Sequence, residues 1–205
     1  AYNTLVTGSS PSRVTYGQYR TLVNGDENTN FNFGVGNTDS RDMYALTVNR
    51  ARYKEKLFPG TFNLVISGSD GSVASKIQLT DNSKDVSTLT FSDAGRVFDI
   101  VSGTNGSAVS QSVTGSVTGG YTPSGSYGKF LPDVGLILLN PRALALSASQ
   151  GGVGLVVNDD LTNTALVANN SALFESIKLA QTFSLNSEET ITSDFIFVRV
   201  RNTDF

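Results

Sequence analysis

Apolar residues in this chain recur mostly at every second position, in short runs broken by Gly, Pro, Asn and Asp, a pattern that predicts strands rather than helices. The strongest run is 44–66, YALTVNRARYKEKLFPGTFNLVI. Strand side chains alternate between faces, so Tyr44, Leu46 and Val48, then Phe62, Leu64 and Ile66, share one side. The run reads as a long strand, a Pro59-Gly60 corner and a second strand, the nucleus of a sheet. Further strands are expected around Ile77 and Leu79, at 88–91 and at 96–101, and a meander is the simplest topology for them. The near-continuous apolar run 131–139 predicts one central strand buried on both faces. Two more strands are expected at 153–157 and 191–200, the last with Ile196, Val198 and Val200 on one face and Phe195, Phe197, Arg199 and Arg201 on the other.

Helical signals are fewer. Asn140 can cap orphan amides and Pro141 suits the first helical position, which predicts a short helix over about 141–148, ended by Gly151-Gly152. Leu173, Phe174, Ile177 and Ala180 share a helical face, which predicts a second over about 171–182, capped by Asn170 or Ser171. Residues 1–38 are dense in turn formers, with room for a brief strand at 13–19, and read as an extended arm or edge. Their aromatic residues Tyr2, Tyr16, Tyr19, Phe31 and Phe33 are anchors for either this chain's own sheet or a neighbouring subunit. Residues 102–128 form a Gly/Ser/Thr-rich loop or projecting hairpin, and Val109, Val113 and Val117 at four-residue spacing favour the projection. The expected fold class is mainly β: an antiparallel sheet or sandwich with hairpin projections and one or two short helices, in a single β-rich domain over 1–205.

Composition narrows the chemistry. The 205 residues carry 16% charged side chains, few for a globular domain, and a net charge of −3, which argues against a nucleic-acid partner and against strong attraction to anionic membranes. No run of about 18 apolar residues marks a membrane span, and no signal-peptide pattern is present. Neither cysteine nor histidine occurs, which removes disulfides, thiolate nucleophiles, Ser-His-Asp arrangements and the commonest metal ligands. Asp159-Asp160 supply two adjacent carboxylates where a calcium loop needs several at set offsets, and Asp81, Asp85 and Asp93 lie in expected turns without an acid–base spacing. No cofactor and no catalytic residue is expected. Arg50, Arg52, Lys54 and Lys56 recur at period two beside Tyr53; such a row needs water, an acidic partner, or the role of blocking stray pairing at a sheet edge.

Three stretches carry a resemblance. Residues 49–56, NRARYKEK, with Pro59-Gly60-Thr61-Phe62; residues 130–135, FLPDVG; and residues 188–193, EETITS, leading into 197–202, FVRVRN, resemble virion structural proteins of contractile-tailed bacteriophages, especially those of marine cyanophages. The resemblance covers the second quarter and the end of the chain and leaves out the Gly/Ser/Thr-rich middle. It implies a tail or baseplate component, assembled in the host bacterial cytoplasm and located in the virion, whose partners are copies of itself and other virion proteins. It brings no catalytic residues. It also implies a chain that runs on beyond Phe205. Arg50, Arg52, Tyr53, Lys54, Phe195, Phe197, Arg199 and Arg201 are the expected interface residues. The alternatives are a receptor- or glycan-binding β-domain that reaches a host-surface glycan through Tyr121 or Tyr127, and a capsid-decorating protein. A carboxylate-based glycan hydrolase is the least favoured.

Overall fold

A computed structural model of the chain describes residues 11–33, 40, 42–68, 76–108, 127–147, 151–155 and 163–196. Its centre is a curled, wholly antiparallel sheet, so the mainly β expectation holds. The strands are β1 (Tyr44–Thr47), β2 (Lys56–Leu57), β3 (Asn63–Ser67), β4 (Lys76–Asp81), β5 (Thr90–Ser92), β6 (Gly95–Thr104), β7 (Ser107–Ala108), β8 (Gly128–Leu131), β9 (Leu136–Leu139), β10 (Phe183–Ser184) and β11 (Ser187–Glu188). The main sheet runs β1-β9-β8-β6-β4-β3-β10, with β5 and β7 paired onto the two ends of the long β6, while β2 and β11 form a separate ribbon. The helices are α1 (Pro11–Asn24), α2 (Pro141–Ala145) and α3 (Asn163–Ala180).

Alternation along β9 sets the layers. Ile137 and Leu139 enter the larger core with Tyr44, Phe62, Leu64, Ile66, Ile77, Leu79, Ile100 and Phe130, where α2 contributes Ala143 and Leu144 and α3 contributes Leu173. Leu136 and Leu138 point the other way, into a second cluster with Phe31, Phe33, Ala94 and Leu131, against which Tyr16, Tyr19, Leu22 and Val23 of α1 pack. The sheet is thus covered by helices on both faces. Phe62 and Phe130 stack at 5.4 Å between ring centres in the larger core, and Tyr16 meets Phe31 edge-on at 6.0 Å in the smaller one.

Several expectations need correction. Residues 11–24 are a helix, not an extended arm with a brief strand at 13–19. Tyr16, Tyr19, Leu22 and Val23 recur at three- and four-residue steps, and burying that face outweighs the turn-forming composition. The aromatic anchors Tyr16, Tyr19, Phe31 and Phe33 therefore dock on this chain's own sheet, whereas Tyr2 lies outside the described residues. The long strand of 44–66 is broken: β1 stops at Thr47, and the Asn49 side chain accepts from the Ala51 amide at 2.9 Å to start a short 3-10 helix, Arg50–Arg52. Its two halves are not hairpin neighbours, since β1 pairs β9 and β3 pairs β4.

Residues 131–139 are the end of one strand and the whole of the next, because Gly135 at φ +69° closes a turn that a single strand could not contain. Asn140 caps α2 as expected, accepting from the Arg142 amide at 3.1 Å, and Pro141 opens it, but α2 ends at Ala145. Residues 153–155 pair with no strand; their amides turn back onto the α2 carbonyl of Leu144 and onto that of Leu146, while 156 and 157 lie outside the described residues. α3 starts at Asn163, so Asn170 and Ser171 are interior rather than caps, and Phe174 faces outward. Residues 191–196 form no strand, and 197–200 lie outside the described residues. Of the expected projection at 102–128, a tight Asn105-Gly106 turn joins β6 to β7, and 109–126 lie outside the described residues.

Candidate interaction surface

The cationic run lies where the β2–β11 ribbon crosses the end of the main sheet. Asn49 turns the chain out of β1, and the following 3-10 turn sets the Arg50 guanidinium 4.6 Å from the centre of the Tyr53 ring. Arg50 also donates to the Glu55 carbonyl. Tyr53 itself is buried against the β8–β9 turn, so close that a Cβ on Gly135 would stand 2.6 Å from its hydroxyl oxygen. Tyr53 is therefore a packing residue and not an exposed contact, a correction to its place among the interface residues. Arg50 and Arg52 remain exposed.

The rest of the run is neutralised from the far end of the chain. Cross-strand pairing sets Lys56 opposite Glu188 and Leu57 opposite Ser187. That register brings Lys56 Nζ to 3.9 Å from Glu188 and Lys54 Nζ to 2.6 Å from Glu189. The Thr190 amide then donates to the Glu55 carboxylate at 3.1 Å, and the Phe58 amide to the Asn186 carbonyl at 2.9 Å. Hydrogen bonding to Glu189 and its charge hold the Lys54 ammonium above its usual range. The period-two cations are thus a corner rather than a row on a strand face, and this chain's own carboxylates hold Lys54 and Lys56 of the four.

Arg96 joins this corner to the sheet. Its guanidinium reaches Asp133 at 2.8 and 3.1 Å and Glu188 at 3.3 Å, while its backbone amide donates to Asp133 at 2.7 Å. Partial burial pushes the Asp133 carboxyl up, but the bonds and charge from Arg96 outweigh it and hold the group below its usual value of 3.8. Burial likewise opposes the charge on Arg96, and Asp133 with Glu188 outweighs it, so the guanidinium stays firmly protonated. Gly95 makes room for this clamp: a Cβ there would lie 2.3 Å from an Asp133 oxygen. The Glu188-Glu189 pair and the Arg96–Asp133 clamp escape sequence reasoning because their partners lie 37 to 135 residues away. Opposite charges on two short polar runs, 54–56 and 188–189, were the available signal.

Beyond the ribbon the chain leaves the body with its apolar side chains in water: Ile191 is 80% exposed, Phe195 82% and Ile196 86%. Of the C-terminal interface residues, Phe195 is thus on the surface, while Phe197, Arg199 and Arg201 lie outside the described residues. The Glu55–Thr190 bond fixes the start of this segment at the cationic corner.

Other candidates offer less. A pocket of about 60 Å³ between Asn82, Thr88, Thr90, Val97, Asp99 and Lys129 has room for a few waters, against the several hundred Å³ of an ordinary ligand site, and Lys129 pairs with Asp99 at its wall. Asp81 is fully buried and accepts from the amides of Gly60, at 2.9 Å to each oxygen, and Ser83, at 3.0 Å, which ties the Pro59-Gly60 corner to β4. Tyr127 is buried and donates to the Gly151 carbonyl at 2.6 Å; it presents no ring face to a sugar, and Tyr121 lies outside the described residues. Among the described residues no three acidic side chains cluster to hold a metal, and no helix is long and apolar enough to cross a membrane. The chain matches no protein-family profile, no curated protein and no solved structure.

Proposed function

We propose that this chain is a non-enzymatic structural subunit of a bacteriophage virion, a tail or baseplate component that assembles with copies of itself and with other virion proteins. The observation that carries the reading is the segment after β11, where Ile191, Phe195 and Ile196 stay 80 to 86% exposed, more than any other large apolar side chain among the described residues, the next being Phe91 at 65% and Phe174 at 64%. Single exposed apolar residues are ordinary, but three within six positions of one extended segment suit a surface that a neighbour covers. The resemblance of 49–56, 130–135, 188–193 and 197–202 to contractile-tail virion proteins supplies the setting, and residues of the first three stretches, Lys56, Asp133 and Glu188, meet at the β2–β11 corner around Arg96. The carboxylates of Asp81, Asp99 and Asp133 are each engaged in holding the fold, which suits a structural role.

The test is sedimentation of the native chain, alone and with isolated tails, against an Ile191→Ser/Phe195→Ser/Ile196→Ser variant. The native chain is expected to self-associate or bind tails, and the variant to do neither with its fold intact. A native chain that stays monomeric and binds no particle fraction contradicts the proposal.

A further inference from the structure

We propose that the β2–β11 ribbon is an ionic latch that fixes where the apolar segment 191–196 leaves the molecule, and that salt opens it. The ribbon stands outside the main sheet and consists of two residue pairs, Lys56 with Glu188 and Leu57 with Ser187. Leu57 is its only fully buried apolar side chain; Leu185 is partly buried and Phe58 is half exposed. So short a ladder has little area with which to hold itself closed.

A few neutral bonds add to it, from the Leu57 amide to the Pro132 carbonyl at 3.0 Å, the Phe58 amide to the Asn186 carbonyl at 2.9 Å and the Asn186 amide to the Thr61 hydroxyl at 3.0 Å, and charge supplies the rest. Glu188 is shared between Arg96 at 3.3 Å and Lys56 at 3.9 Å, Glu189 pairs with Lys54 at 2.6 Å, and the Glu55 carboxylate accepts from the Thr190 amide. Asp133 completes the set of charged groups at the latch and competes with Glu188 for Arg96. The side chains of the Lys54–Glu189 and Lys56–Glu188 pairs are between 31 and 71% exposed, so salt reaches them and screens them. The Arg96–Asp133 clamp has several bonds, one of them from the Arg96 backbone amide, and is less exposed, so it stays shut. Ionic strength therefore acts on the ribbon and leaves the sheet alone. The inference concerns this chain alone and does not depend on which partner receives the segment.

Residue-resolved hydrogen exchange on the purified chain tests it. The Phe58 and Thr190 amides, which bond across the ribbon, should exchange about fivefold faster in 0.5 M than in 0.05 M NaCl, while the core amides of Leu64, Leu79 and Ile100 do not change. In a Glu188→Gln/Glu189→Gln variant the two ribbon amides should be fast at both salt concentrations, with core protection retained as the control for folding. Native ribbon amides equally protected at both concentrations, or a variant that keeps their protection, would overturn the latch.

Discussion

Gly95 and Asp133 show how much one position decides. Gly95 sits at φ +100°, and a methyl group there would press on an Asp133 oxygen, so Gly95→Ala both strains the backbone and pries open the Arg96 clamp. A loss of roughly 1–3 kcal/mol is expected, read as a lower denaturant midpoint with an unchanged slope. Asp133 also gives the fold an acid limit. Its carboxyl is held below 3.8, so its contribution is complete above pH 3.8 and is lost as the pH falls through the lower folded value. Unfolding curves from pH 5 to 2 should be flatter for Asp133→Asn than for the native chain. Tyr127 acts at the opposite end, because burial pushes its hydroxyl from 10.0 up to about 12. Its contribution is complete below pH 10 and falls away as the pH rises towards 12, and Tyr127→Phe should lose about 1 kcal/mol at neutral pH along with part of that alkaline decline. None of these three roles was legible in the sequence, since each depends on a partner at least 24 residues away.

At the scale of elements, what the sequence made legible was local. Alternation located β3, β4 and β6, and Asn140-Pro141 located the start of α2, because strand periodicity and capping are written within a few neighbouring residues. Non-local competition hid the rest. α1 carries a plain three-and-four spacing, but its Gly17 and flanking Ser, Thr and Asn residues give it the composition of a loop, and only the sheet face beneath it makes the helix worthwhile. β10 and β11 are two residues each and exist because β3 and β2 offer them an edge. The segment after β11 yields the sharpest contrast between elements. Phe195→Ser and Ile196→Ser should change stability by less than about 0.5 kcal/mol, since both side chains are already in water, whereas Phe62→Ala should cost about 3–5 kcal/mol. Denaturant unfolding of the three variants checks this directly.

For the whole molecule, the fold class was readable and the placement of the candidate surface was not. The sequence indicated a cationic run and a Phe/Arg C-terminal stretch as two separate features, and the β2–β11 ribbon ties the first to the start of the second. It also turns Tyr53 inward and spends Lys54 and Lys56 on this chain's own Glu189 and Glu188, leaving Arg50, Arg52 and the segment 191–196 as the parts that face outward. A body closed by helices on both faces of one sheet, with one ionically tethered apolar segment, suits a subunit that folds alone and then joins a symmetric assembly. The most direct test of that account is mass spectrometry of density-purified phage particles, comparing intact virions, isolated tails and emptied capsids. The account predicts peptides from 49–62 enriched with the tails; their absence from every particle fraction would contradict it.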